Sequence, residues 1–173
     1  MTSSERSDIL DSLRKHRDLL RFTAQGLTDD QAGTRSTTSE LTIGGLIKHV
    51  TKVEKQWTDF AVNGDTDEPI DWDNVDWSDP PARMVEHADS FQMQDATLAD
   101  LVAAYDEVAA ATDALVESID LDSDHELPPA PWNPPGTRWT ARRVFLHIVA
   151  ETSQHAGHAD IIRESIDGQK SMG

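Results

Sequence analysis

Residues 140–168 constrain the fold more than any other stretch. Thr140 offers an N-cap, Gly168 a stop after Asp167, and no proline interrupts the run between them; this reads as one helix. Glu151 and His155 are four positions apart, so their side chains stack one turn apart on the same face. At about 100° per residue, Val144, Ile148 and Ile162 fall close to that direction. Two polar groups therefore point where the apolar ones point, toward the core. A buried carboxylate beside a buried imidazole is costly unless compensated. A divalent metal is one compensation and a carboxylate–imidazole hydrogen bond is another. The spacing leaves both open.

Three more helical patterns precede this one. Ile9, Leu10, Leu13, Leu20 and Phe22 predict a first helix over 7–26, with Ser7 as its cap and Gly26 as its end. Within it, His16 lies on a charged segment, Lys15-His16-Arg17-Asp18, and reads as a solvated histidine rather than a ligand. Thr42 caps a second helix over 43–62, with an apolar stripe of Ile43, Leu46, Ile47, Val50, Val53, Trp57 and Phe60. Gly44-Gly45 in its first turn lowers helix propensity, which makes sense where another backbone packs close. His49 lies at the edge of this stripe. Thr97 caps a third helix over 97–118, whose buried face is Leu98, Leu101, Val102, Tyr105, Val108, Ala109, Leu115 and Val116.

The connections are long. Residues 27–40 are polar. Residues 63–95 are irregular and acidic, with Trp72, Trp77 and a short helix near Met84–Asp89; His87 is expected to be exposed. Long loops in a compact domain are often functional, and these tryptophans either cross a pocket mouth or pin the loop to the bundle. Residues 120–139 include His125, expected to be solvated, and a proline-dense run around Trp132 that precludes helix. No strand pattern of any length appears. The expectation is an all-α four-helix bundle with long crossover connections, one domain over 1–173, frayed from Gln169 to Gly173.

Composition narrows the partners. The chain carries 32 acidic against 15 basic side chains, a formal net charge of −17, and such a field repels nucleic acid and anionic lipid. Cysteines are absent, which excludes disulfides, thiolate metal ligands and a cysteine nucleophile; thiol chemistry would need a thiol on a small molecule. The stretch from Thr2 to Asp8 is polar, without an apolar leader, and no run of about 18 apolar residues exists to span a membrane. A cytoplasmic protein is expected.

Cofactor sites in helix bundles are built from inward side chains of facing helices. The candidate set is His49 with Glu151 and His155. Two imidazoles and one carboxylate suit Zn, Ni, Fe or Mn, and a divalent ion there would lower the pKa of a bound hydroxide or thiolate source. His147 and His158 fall to one side of the Glu151/His155 direction. His147, Glu151 and His155 span about 12 Å of helix, too far for all three to converge on one ion. The chain has no nucleophile elbow, phosphate loop or dinucleotide fingerprint.

Leu41-Thr42-Ile43-Gly44-Gly45-Leu46-Ile47-Lys48-His49-Val50, with Val53-Glu54 and Trp57, resembles the second helix of the DinB/YfiT-like superfamily. The run from Leu146 to Glu164, with Ile166-Asp167-Gly168, resembles the last helix of an actinobacterial branch of it. The resemblance implies a four-helix bundle with a long crossover, often dimeric. It also implies a divalent metal held by His49, Glu151 and His155. Many members carry His where this chain has Glu151, whereas members related to mycothiol-dependent isomerases carry Glu. Members with known activity resemble thiol transferases that pass mycothiol, bacillithiol or glutathione to an electrophile, and mycothiol fits the branch.

Three functions follow for testing. The first is metal-dependent transfer of a mycothiol-type thiol to small electrophiles in detoxification or stress response. In it, His158 or His147 positions substrate or acts as acid–base, and the Trp72/Trp77 and Trp132 loops shape the pocket. The second is a metal-dependent hydrolase. The third is a non-catalytic metal-binding or stress-induced scaffold protein.

Overall fold

The computed structural model describes residues 3–171. Met1, Thr2, Met172 and Gly173 lie outside the described residues, and with them the part of the expected fraying that falls on Met172 and Gly173. The elements are α1 (Ser3–Ala24), α2 (Asp29–Ala32), α3 (Ile43–Asn63), a 3₁₀ turn (Trp72–Asn74), α4 (Ala82–Asp89), α5 (Leu98–Ser118), β1 (Asp124–Glu126), β2 (Arg138–Thr140) and α6 (Ala141–Asp167). The four long helices make the fold all-α.

The predicted caps close where the sequence places them. Thr42, Thr97 and Thr140 accept hydrogen bonds from the amides of Gly45, Asp100 and Arg143. Gly168 ends α6 at φ 81°, its amide donating to Glu164. The first helix differs from expectation. It begins at Ser3, which puts Ser7 inside it, and ends at Ala24, short of Gly26. Its first turn is pinned from outside: Arg142 pairs with Glu5, and Arg6 donates to the carbonyls of Val116 and Ile119.

Two apolar clusters fill the interior. One gathers Leu20, Leu46, Ile47, Val50, Leu101, Tyr105, Ala156 and Ala159; the other gathers Leu13, Phe60, Val116, Val144, Phe145 and Ile148. Following each helix from one cluster to the other shows that α1 and α6 run one way and α3 and α5 the opposite way. Because α3 and α5 are parallel neighbours, residues 64–97 must cross back along the bundle. This is the long connection expected from the sequence.

A buried polar layer separates the clusters. Arg17 is 1% exposed and grips Glu54, 0% exposed, through Nη2–Oε1 at 2.5 Å and Nε–Oε2 at 3.2 Å; its Nη1 bonds Asp113 at 2.7 Å. His16, expected to be solvated, is half-buried, and its neighbour Arg17 is among the most enclosed side chains. Burial opposes its charge, but Glu54 and Asp113 hold its pKa above the ordinary value.

Two expectations about the loops are corrected. Residues 120–139 contain a short antiparallel pair, Asp124 opposite Thr140 and Glu126 opposite Arg138, too short to show a strand period. Gln169 and Ser171 are not frayed: Arg163 donates to the Gln169 side chain, and the Ser171 amide donates to Asp160. Among the described residues no helix is long and apolar enough to cross a membrane.

Candidate metal centre

The site forms where α3 and α6 lie side by side. His49 is one turn before Val53 on the face of α3 that continues through Trp57 and Phe60. Glu151 and His155 project from α6 toward it. One ligand atom from each of His49, Glu151 and His155 lies within 4.8 Å of the other two. The His49 and His155 rings meet edge-on with centroids 4.8 Å apart.

The first turn of α3 positions this cluster. A Cβ on Gly45 would stand 2.0 Å from the carbonyl oxygen of Phe91, and one on Gly44 would stand 2.5 Å from Met93 Sδ. The paired glycines therefore admit the chain after α4 against the helix, as the sequence suggested. That approach lays the Phe91 ring on the His49 ring, 3.7 Å apart and nearly parallel, and brings Ser90 to the other edge of the imidazole.

Ser90 settles which nitrogen of His49 is free. Its hydroxyl donates to the carbonyl of His87 at 2.6 Å, so toward His49 Nδ1, 2.8 Å away, it can only accept. Nδ1 thus carries the proton, and the lone pair is on Nε2. Both residues are 2% exposed. This arrangement, a ligand imidazole whose second nitrogen donates to a fixed acceptor, is what a metal-binding histidine requires.

The titration behaviour agrees. Burial, followed by the charges of His155, His87 and Lys52, pushes the His49 pKa down to about 3. Burial also lowers His155 and His147, against the opposing pull of Glu151. Both candidate ligand imidazoles are neutral at neutral pH, the form that binds a cation. Glu151 sits between two of these rings, its oxygens 3.6 Å from His147 Nε2 and 3.7 Å from His155 Nε2. Both distances exceed a hydrogen bond, so the carboxylate is not consumed by either ring. Two neutral imidazoles and a carboxylate with converging, unspent lone pairs fit a divalent ion.

Glu151 departs from expectation in one respect. Its side chain is 28% exposed rather than buried, because α6 opens there onto a cleft. This cleft, of about 1100 Å³, runs between α3, the 64–87 segment and α6, with Val53, Trp57, Phe60, His147 and Glu151 in its lining.

The other singled-out residues distribute as follows. His147 lines the cleft and packs edge-on to Trp57, which stacks on Trp139. His158 stands behind the cluster, its Nδ1 3.4 Å from His155 Nδ1 and so on the far side of that ring from Glu151. His87 is exposed, but its ring lies 5.1 Å from His49. His125 is half-buried against Phe60 rather than solvated. Trp72 pins the long connection to the proline-rich loop, donating to Pro129 and meeting Trp132 at 4.8 Å, while Trp77 is 67% exposed. The tryptophan in the cleft lining is Trp57, which the sequence pattern assigns to the core stripe. Ser90 was missed outright: nothing in an irregular segment marks a lone serine as the partner of a histidine some forty positions earlier.

Comparisons with known proteins agree with this architecture. The family model described as mycothiol-S-transferase matches residues 8–168. A crystal structure of a conserved protein from Enterococcus faecalis superposes with a TM-score of 0.66 at 17% identity, covering 98% of this chain and 99% of that one; at that identity it speaks for the fold alone. No curated protein sequence matches the chain significantly.

Proposed function

Because the chain belongs to the mycothiol-S-transferase family, we propose that it transfers a low-molecular-weight thiol of the mycothiol type to small electrophiles, with His49, Glu151 and His155 holding a divalent metal. The observation that carries this reading is the convergence of three ligand atoms within 4.8 Å, one of them from Glu151 in the lining of an open cleft, with His49 oriented by Ser90. Zinc is the ion this donor set suits best, with nickel, manganese and iron compatible. When bound, such an ion supplies positive charge that lowers the pKa of a thiol placed against it.

The chain's own residues do the rest. Burial keeps His49 and His155 neutral and ready as donors. Ser90 and Phe91 hold the His49 ring from two sides, and His158 orients His155 through its second nitrogen. Glu151 and His147 face the cleft through which the reactants enter, and Trp57, stacked on Trp139, adds an aromatic side chain to its lining. In the transfer, the thiol gives its proton to solvent base, its sulfur bonds the electrophilic carbon, and the leaving group departs with its electron pair. No cysteine of the protein takes part, since the chain has none.

The test is metal content and thiol binding on protein purified without a histidine tag. Wild type is expected to hold about one divalent ion per chain and to bind mycothiol only when loaded; His155→Ala is expected to do neither. Equal thiol binding by the metal-free protein would end this mechanism. No uptake of Zn, Ni, Mn or Fe(II) by wild type would move the weight to a scaffold whose polar pocket is only structural.

A further inference from the structure

The approach to the site is lined on one side by carboxylates. Asp65, Glu68, Asp71, Asp76 and Asp79 all face the cleft from the 64–81 segment, all are exposed, and among the described residues none of them forms a salt bridge. The lining holds one guanidinium, Arg83, already 3.9 Å from Asp67, and no lysine. Hydrogen bonds from the Ser78 hydroxyl and amide keep the Asp76 carboxyl below the usual range. Beneath these charges, α3 supplies Val53, Trp57 and Phe60. An acidic loop elsewhere on a protein of net charge −17 would be only a solvated surface. This one walls the cleft that Glu151 and His147 also line.

We infer that the cleft selects the second reactant by charge: an electrophile with a fixed positive charge on an aromatic body is preferred to its uncharged analogue, and both to an anionic one of the same shape. The identity of the reactant as an electrophile rests on the transfer reading above; the binding preference does not. A cationic head finds unpaired carboxylates along the wall and an aromatic face below. An anionic head meets like charge, on a wall whose one guanidinium is outnumbered by carboxylates. A cleft of one sign focuses its field and raises the local concentration of the opposite charge, so the selection acts on capture, in kcat/KM and in affinity.

The test has two arms. In the first, metal-loaded enzyme and mycothiol are given three chlorodinitrobenzenes, carrying a trimethylammonium group, no charged group, or a carboxylate. In each case a carbon–sulfur bond forms, the carbon–chlorine bond breaks, chloride leaves with the electron pair, and the thiol proton goes to buffer. Rates are divided by the uncatalysed rate with the same thiol. The expected kcat/KM falls from cation to neutral to anion by about tenfold per step at low salt. That spread narrows as ionic strength rises and in the double variant Glu68→Gln/Asp79→Asn.

In the second arm, unreactive benzyltrimethylammonium and benzenesulfonate, the latter a poor metal ligand, are titrated against tryptophan fluorescence, with and without metal. The cation is expected to bind about tenfold more tightly in both states. Equal binding, or tighter binding of the anion, overturns the inference whatever the enzyme turns over. A preserved binding preference with no transfer to any of the three arenes removes the transfer reading and leaves the charge selection standing.

Discussion

Helix α3 carries two polar clusters about one turn apart, and they are built on opposite terms. Glu54 is fully enclosed, and its two oxygens are matched by two nitrogens of Arg17, whose remaining reach is taken by Asp113. Each charge there has a partner at hydrogen-bond distance. At His49 the proton-bearing nitrogen is matched, to Ser90, while Nε2 keeps its lone pair, and the cluster's carboxylate is one that no ring contacts within 3.5 Å. The first cluster is complete within the protein. The second has spent its protons outward and left its lone pairs converging. Burying polar groups is costly in both places, and that cost is answered inside the chain only in the first. A complete cluster is a structural joint; an incomplete one keeps the free donors that a metal would need.

The sharpest way to break this contrast is to open the joint. Arg17→Ala leaves Glu54 buried and unpaired and is expected to cost about 3–5 kcal/mol, read from urea or thermal unfolding. Arg17→Met with Glu54→Leu should restore most of that loss. If the single variant unfolded like wild type, the joint would not be structural.

Next is the close approach that seats both Phe91 and Ser90. Gly45→Ala drives a methyl into the Phe91 carbonyl and is expected to destabilise by about 1–3 kcal/mol through overpacking. Unlike the Arg17 variant, it should also weaken metal uptake in the fraction that folds. Metal affinity unchanged beside a lowered Tm would uncouple the glycine pair from the site.

Ser90→Ala removes the acceptor for His49 Nδ1 and, with it, the bond to the His87 carbonyl. A drop of about 10–100-fold in metal affinity is expected, with a loss of stability in the metal-free protein of about 1–3 kcal/mol for the orphaned buried donor, smaller than that of Arg17→Ala because the joint is intact. Competition against a chromogenic chelator reads it directly.

The mildest probe is pH on the metal-free protein. His49 is held neutral down to about pH 3, while in the unfolded chain it takes up a proton near pH 6.5. The unfolded state therefore binds more protons between those values, so stability is full above about pH 6.5 and falls as the pH is lowered through this window. His49→Gln should flatten that slope; an unchanged slope would assign it to other groups.

Much of this was legible before any coordinates. Thr42, Thr97, Thr140 and Gly168 marked their helix ends because capping is local chemistry, read within four residues. Gly44-Gly45 announced a close neighbour because nothing local favours two glycines in a helix. His49, Glu151 and His155 could be proposed because helical spacing fixes which side chains share a face. What stayed hidden was what tertiary distance decides. Nothing local marked Arg17 for burial, because its partners, Glu54 and Asp113, lie on other helices. Trp57 looked like core because its stripe continues past the packed region into the cleft. Ser90 and the three-residue strands carried no period.

Residues 64–90 are tethered at both ends. Gly64 caps α3 at φ 73° against His125, and Ser90 and Phe91 are wedged against Gly45 and His49. Between these anchors the wall from Asp65 to Pro81 bears on no donor atom. Changing the length of such a loop costs little in closure entropy. The wall is therefore an exchangeable cassette: new reactants can be accommodated by rewriting it, while the apparatus that orients His49 stays as it is.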